Sequence, residues 1–254
     1  GIAYNIFDDA LELLEPSIRS VRKHADYITI VYQNISNFGN AATLDILFEL
    51  ERLKSIGLID NYIKYVPMLQ QGGHYNELMK RNIGLFDCKR NDCSHFMSMD
   101  SDELYLDSEL AYIKEEMDKN DYDASACQML TYYKSGEYIL DPPEEYYVSL
   151  IYKISNLAFQ LNANFPVLVD PTRRIPSENV RIFKREEIQM HHFSGVRKDY
   201  RKKLENSSAK VNFAYQINDL VGYYENWQYP MNALMPGAPP KNYKIKKVEN
   251  KFNI

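Results

Sequence analysis

Over the first hundred residues, four short apolar runs alternate with three amphipathic stretches, and this alternation limits the fold more than any other feature of the chain. Gly1–Asn5 reads as a buried strand. Asp8 or Asp9 is placed to cap the helix after it, in which Leu13, Leu14, Ile18 and Val21 recur at helical spacing and Arg19, Arg22 and Lys23 gather toward the end. Pro16 either kinks that helix or opens its second half. Asp26–Gln33 is β-branched and apolar, a second buried strand, so the first thirty-odd residues form a βαβ unit. After the polar loop Asn34–Asn40, a helix carrying Leu44, Leu47, Phe48, Leu50 and Leu53 closes at Gly57, and Ile59–Val66 is the third strand. Gly72 and Gly73 open a loop, Tyr75–Phe86 is a helix, and a fourth strand follows. The expected fold class is α/β, a single domain whose Rossmann-like nucleotide-binding half has a central, mostly parallel sheet and takes its ligand at the strand carboxyl ends.

The fourth strand carries the most chemistry. His95–Tyr105 begins with the apolar Phe96, Met97 and Met99 and runs out into Asp100, Ser101, Asp102 and Glu103. Three carboxylates in four residues repel one another unless a cation or a set of hydrogen bonds is present, so the turn suits a hard, oxygen-seeking divalent ion. The same residues would also suit a helix start, with Ser101 or Asp102 as N-cap.

Beyond residue 106 the pattern changes. Asp123–Tyr133, Tyr138–Leu140 and Tyr146–Ile154 are Tyr-rich and β-like, with Gly136 and Pro142–Pro143 at turns, so mixed or antiparallel strands are expected. Among Tyr132, Tyr133, Tyr138, Tyr146 and Tyr147, most are expected to pack as strand aromatics, and the rest are open to stacking on sugar rings. Phe165–Asp170 reads as another strand ending in an acid, ahead of Arg173 and Arg174. From Gly237 the tail is rich in Pro and Lys and is expected to be partly disordered. A net charge of −5 gives no basic footprint for nucleic acid. Cys88, Cys93 and Cys127 are spaced as ordinary reduced thiols. No apolar run approaches a membrane span and the start lacks the order of a signal peptide, so the expected location is cytoplasmic, with peripheral attachment to a membrane left open.

Four features taken in order resemble the GT-A glycosyltransferases: Ala3-Tyr4-Asn5 ending the first strand, Lys80-Arg81-Asn82-x-Gly84 on a helix, Asp100-Ser101-Asp102, and a late His192-Phe193-x-Gly195 followed by Arg197 and Lys198. The closest likeness is to family 2-type enzymes of bacteria and large viruses that build surface glycans. The resemblance covers residues 1–206, as a nucleotide-sugar half (1–105) and an acceptor half (106–206), and leaves 207–254 as a helical and tail extension.

That resemblance implies a Mn²⁺ or Mg²⁺ cofactor and a nucleoside-diphosphate sugar donor, a UDP-sugar above others. The acceptor would be a glycan, a glycoprotein or a lipid-linked hydroxyl. Asp102 becomes a direct metal ligand and Asp100 a ligand or a ribose contact. His192 is the third ligand, with His191 second choice, because neighbouring strand residues face opposite ways. Ala3, Tyr4, Asn5, Asp8 and Gln33 would meet the base and ribose, and Lys80, Arg81, Ser101, Arg197 and Lys198 the rest of the donor. Family 2-type enzymes invert, which calls for a carboxylate base on the acceptor side. Asp170 is the candidate, with a cap on the Pro171 turn as its other reading. Two rivals stand beside this: a haloacid-dehalogenase-like phosphatase with Asp100 as nucleophile, and a silent nucleotide- or glycan-binding module.

Overall fold

The computed structural model describes all 254 residues, and its amino-terminal half follows the expected alternation: β1 (Ile2–Ile6), α1 (Leu11–Val21), β2 (Ile28–Tyr32), α2 (Ile46–Ser55), β3 (Asn61–Lys64), α3 (Gly73–Arg90) and β4 (His95–Met99). β1 pairs in parallel with both β2 and β4, and β2 with β3, so the strand order is β3-β2-β1-β4. The order reverses between β1 and β4, and a crevice opens at such a point because the flanking connections leave on opposite faces of the sheet. Pro16 lies inside a continuous α1 after a 3-10 turn over Asp8–Ala10. Asp45 caps α2 by accepting from the Phe48 amide at 3.1 Å. Gly57, with φ +74°, supplies the left-handed residue that ends it.

The second half widens this sheet. β5 (Glu103–Leu104) and α4 (Asp107–Asn120) lead into β6 (Ala124–Tyr133), β7 (Ser135–Asp141) and β8 (Tyr147–Lys153), of which β8 lies antiparallel between β4 and β6. β9 (Val180–Ile182) and β10 (Met190–Gly195) both run parallel to β6, and β10 also pairs antiparallel with β5, which sets His192 opposite Glu103. α5 (Tyr200–Asn206), α6 (Ile217–Glu225), β11 (Ala233–Met235) and β12 (Lys241–Lys247) complete a mixed α/β domain. No helix is long and apolar enough to cross a membrane.

Two expectations are corrected here. Phe165–Asp170 is not a strand: it makes one ladder-like bond, from the Tyr147 amide to the Leu168 carbonyl at 3.2 Å, and Pro166 and Pro171 remove donors at either end. The tail beyond Gly237 is ordered into β12, which pairs with β7 from Lys244–Asp141 to Lys247–Tyr138. α6 and Trp227 bury themselves with Tyr133, Leu140, Tyr200 and Leu204 in a second core of 11 residues, beside the main core of 30. The tyrosines take part in this packing. Tyr132 stacks on Phe193 with centroids 4.3 Å apart, Tyr133 meets Tyr224 and Trp227 edge-on, and Tyr138 stacks on Tyr229.

α3 lies unusually close to β1. A Cβ built on Gly84 would stand 2.3 Å from the Ala3 Cβ, so only glycine lets the helix backbone touch the strand there. Gly84→Ala should destabilise the fold by roughly 1–3 kcal/mol, as overpacking does, read as a lower urea midpoint at unchanged slope. An unchanged midpoint would mean that the contact is slack.

Candidate active site

At the carboxyl ends of β1 and β4 lies a cleft of about 170 Å³, formed by Asn5, Asp9, Gln33, Glu77, Lys80, the Asp100–Asp102 turn, Asp170, Lys203 and the chain after α5. A larger cavity of about 380 Å³ sits at the opposite, amino ends of the same strands, around His24, Cys93, His95 and Lys114. The smaller one holds the chemistry, because its buried polar groups converge and several are unpaired.

The walls are built from α3 and the loop around Asp170. Arg81, 1 % exposed, donates Nη1 to Ser98 Oγ (2.8 Å), Nε to Thr172 Oγ1 (3.0 Å) and Nη2 to both oxygens of Asp100 (3.2 Å each). Arg173 donates Nη2 to Asp100 Oδ2 at 2.7 Å and Nη1 to the Ser98 carbonyl at 3.2 Å, and it forks onto Glu103. Burial alone would raise the Asp100 carboxyl, but the two guanidiniums outweigh it and hold the group well below the usual carboxylate range. Glu103 is deeper. Burial pushes it up to about 7 against the pull of Arg173. Asn82, one residue along α3, clasps the Phe159 backbone with both amide atoms, at 3.1 and 2.8 Å.

Asp102 is held from the other side. Its Oδ2 accepts from Arg197 Nη2 (2.6 Å) and Lys203 Nζ (2.7 Å), and these cations with His192 overcome burial to keep it far below its ordinary value. Its Oδ1 faces His192 Nε2 across 4.0 Å. His192 Nδ1 lies 3.4 Å from Ser194 Oγ, and burial lowers the imidazole toward its neutral form despite Asp102. His191 points the other way, with Nδ1 2.9 Å from the Tyr132 hydroxyl and its ring edge-on to Phe252. The opposite facing expected of the two histidines is therefore found, with His192 on the side of Asp102.

These contacts bear on the metal-ligand set. Both Asp100 oxygens already accept from guanidiniums, so an ion at the expected Asp100 ligand position would share them with Arg81 and Arg173. Asp102 Oδ1 and His192 Nε2 are two facing donors, one of them a neutral imidazole, and they suit a hard ion that completes its shell on a phosphate. No three His, Cys, Asp or Glu side chains converge to form an all-protein cage.

The remaining expected residues divide sharply. Asn5, Gln33, Lys80 and Ser101 line the cleft, and Asn5 Nδ2, Asn5 Oδ1 and Gln33 Oε1 are buried without any partner. Gln33 Nε2 is steadied by Asn37 Oδ1 at 3.2 Å. Lys80 is 5 % exposed and enters no ion pair or hydrogen bond, and burial lowers its ammonium although Glu77 and Asp100 pull it back up. Ala3 and Tyr4 do not reach the cleft. Ala3 lies under Gly84, and Tyr4 is fully buried with its hydroxyl 3.1 Å from Ser17 Oγ, whose own proton goes to the Glu103 carbonyl. Asp8 is spent on structure, accepting from the Thr43 amide (2.6 Å), Thr43 Oγ1 (2.9 Å) and Lys202 (2.9 Å); its neighbour Asp9 faces the cleft instead. Lys198 is exposed, with its amide on Glu12, while Arg197 is buried against Asp102.

Asp170 caps the Pro171–Arg173 turn with Oδ1 on the Thr172 amide and hydroxyl, and it lines the cleft with Oδ2 3.9 Å from Arg81. The cap reading is found, and Oδ2 is left without a hydrogen bond. Asp9 was expected only as a helix cap, and Glu77, Arg173 and Lys203 had no role assigned from sequence. Only the guanidiniums after Asp170 hinted at Arg173. Arg173→Met should cost about 3–5 kcal/mol by leaving Glu103 buried without its ion-pair partner and Asp100 with Arg81 alone, measured by chemical unfolding. A cost under 1 kcal/mol would show that Arg81 alone carries the turn.

No known protein family matches the sequence, and no curated protein matches it significantly. Among solved structures the chain is similar to three crystal structures of residues 1–349 of S. aureus TarS. The first shares 10 % identity over 80 % of this chain and 62 % of that one, at a TM-score of 0.49. The complex with UDP-GlcNAc gives 12 %, 80 %, 63 % and 0.47, and the complex with UDP gives 10 %, 90 %, 75 % and 0.48. This chain thus spans less than two thirds of the first of these structures. Likeness at this level carries no weight in assigning chemistry, which rests on the cleft itself.

Proposed function

We propose that this chain is a glycosyltransferase that moves a sugar from a nucleoside-diphosphate sugar, of the UDP class, to a hydroxyl of a glycan, glycoprotein or lipid-linked acceptor. The observation that carries the reading is the meeting of the unpartnered buried Asn5 amide and the free Gln33 Oε1 with the unpaired ammonium of Lys80, where the order of the parallel strands reverses. Amides with free donors and acceptors suit the edge of a base or a ribose hydroxyl, and a buried ammonium suits a phosphate.

The chemistry assigned to these residues follows from the leaving group. Negative charge grows on the β-phosphate oxygen as its bond to the anomeric carbon breaks, and Lys80 and Lys203 are the cations of this chain nearest to receive it. When bound, a Mn²⁺ or Mg²⁺ ion on Asp102 and His192 would add to that neutralisation. Asp170 Oδ2 accepts the acceptor's hydroxyl proton while the acceptor oxygen bonds to the anomeric carbon, an in-line displacement that inverts the centre. Glu77 and Asp9, both raised by burial, stand as neighbouring carboxylates for the same task. The phosphatase reading is disfavoured by Asp100, whose two oxygens are engaged by Arg81 and Arg173 and are poor nucleophiles in that state.

Two measurements test the reading. UDP with Mn²⁺, at about 100 times its Kd, should raise Tm by roughly 5–10 °C, and Asn5→Ala should remove most of that shift; stabilisation that survives in Asn5→Ala would place the nucleotide elsewhere. Asp102→Asn should lower UDP release from a panel of UDP-sugars about tenfold or more, with partial recovery at high Mn²⁺. Full activity in that variant would contradict the role given to the turn.

A further inference from the structure

Lys203 and Arg197 share one oxygen of Asp102, and they are not equivalent. Arg197 is fixed: its side chain is 1 % exposed, and its backbone amide and carbonyl are both bound to the Tyr224 hydroxyl, at 3.0 and 2.9 Å. Lys203 is 27 % exposed on α5, a helix of seven residues that buries only Tyr200 and Leu204. Its ammonium lines the cleft, and its only hydrogen bond is the 2.7 Å contact to Asp102. Asp102 therefore carries two positive charges on Oδ2 while its Oδ1 faces His192. A divalent ion arriving at Oδ1 meets a carboxylate already neutralised, with an ammonium close by that repels it.

We propose that Lys203 is a built-in counter-ion of Asp102, one that keeps divalent cations off the carboxylate until a diphosphate enters the cleft and draws the ammonium to itself. The inference rests on the nucleotide-sugar reading and adds an order to it: ion and nucleotide bind together, and the ion alone binds poorly. The long, solvent-reaching Lys203 side chain can turn between a carboxylate and a phosphate without moving the sheet, whereas the buried Arg197 stays in place.

The test measures metal binding, without turnover. Mn²⁺ would be titrated into the parent chain, Lys203→Met and Lys203→Arg, with and without saturating UDP, and free Mn²⁺ followed by electron paramagnetic resonance. The parent should bind Mn²⁺ weakly alone and about tenfold or more tightly with UDP. Lys203→Met should bind Mn²⁺ alone about tenfold or more tightly than the parent, with a reduced gain from UDP, and Lys203→Arg, which keeps the charge, should resemble the parent. If the parent shows the UDP-dependent gain but Lys203→Met binds Mn²⁺ alone no better, the counter-ion role is overturned and the donor reading stands. If no protein binds Mn²⁺ even with UDP, both fall together.

Discussion

Asp102 and Glu103 can be buried, with the partly exposed Asp100 beside them, within one tight turn only because four cations reach them from other parts of the chain. Arg81 and Arg173 neutralise Asp100, Arg173 also forks onto Glu103, and Arg197 and Lys203 meet on Asp102. Guanidiniums suit the buried positions because they stay charged and satisfy several acceptors at fixed angles. Three of these cations also fix an element: Arg81 ties α3 to β4, Arg173 draws in the loop that carries Asp170, and Arg197 docks the chain between β10 and α5. The cleft's outline follows from charge compensation more than from apolar packing.

Within the cleft, satisfied and unsatisfied groups sort by role. Arg81, Asn82 and Tyr4 have their partners and hold the frame. Asn5 Nδ2 and Oδ1, Gln33 Oε1 and the Lys80 ammonium lack them. A buried amide without partners costs stability, and a fold keeps such a group where a ligand completes it. This division marks the part of the cleft that offers free donors and acceptors.

Much of the frame was legible in the sequence. The β-α alternation gave the parallel strands within a few residues, the apolar run ending in Asp100 gave the acidic turn, and strand alternation gave the opposed His191 and His192. What escaped depended on partners remote in sequence. Phe165–Asp170 has the apolar content of a strand, but no neighbour offers it a full ladder. Gly237–Lys247 looks like a polar tail and becomes a strand because β7 has an open edge. Ala3 and Tyr4 sit on the right strand, yet β1 is buried on both faces, so only the last side chains before its end can reach a ligand. Lys203 meets Asp102 only because α5 brings it there from 101 residues away.

The separation between the acidic turn and its cations has a consequence for biosynthesis. Asp100 meets Arg173 across 73 residues, and Asp102 meets Arg197 and Lys203 across 95 and 101. At a translation rate of about 5–20 residues per second, the turn waits roughly 5–20 s for its last counter-charge to leave the ribosome. Through that interval the parallel strands can pair, but the carboxylates must remain hydrated. The charge balance of the cleft therefore waits on the carboxyl-terminal third of the chain, and a chain interrupted before residue 173 lacks three of the four cations that shape its mouth.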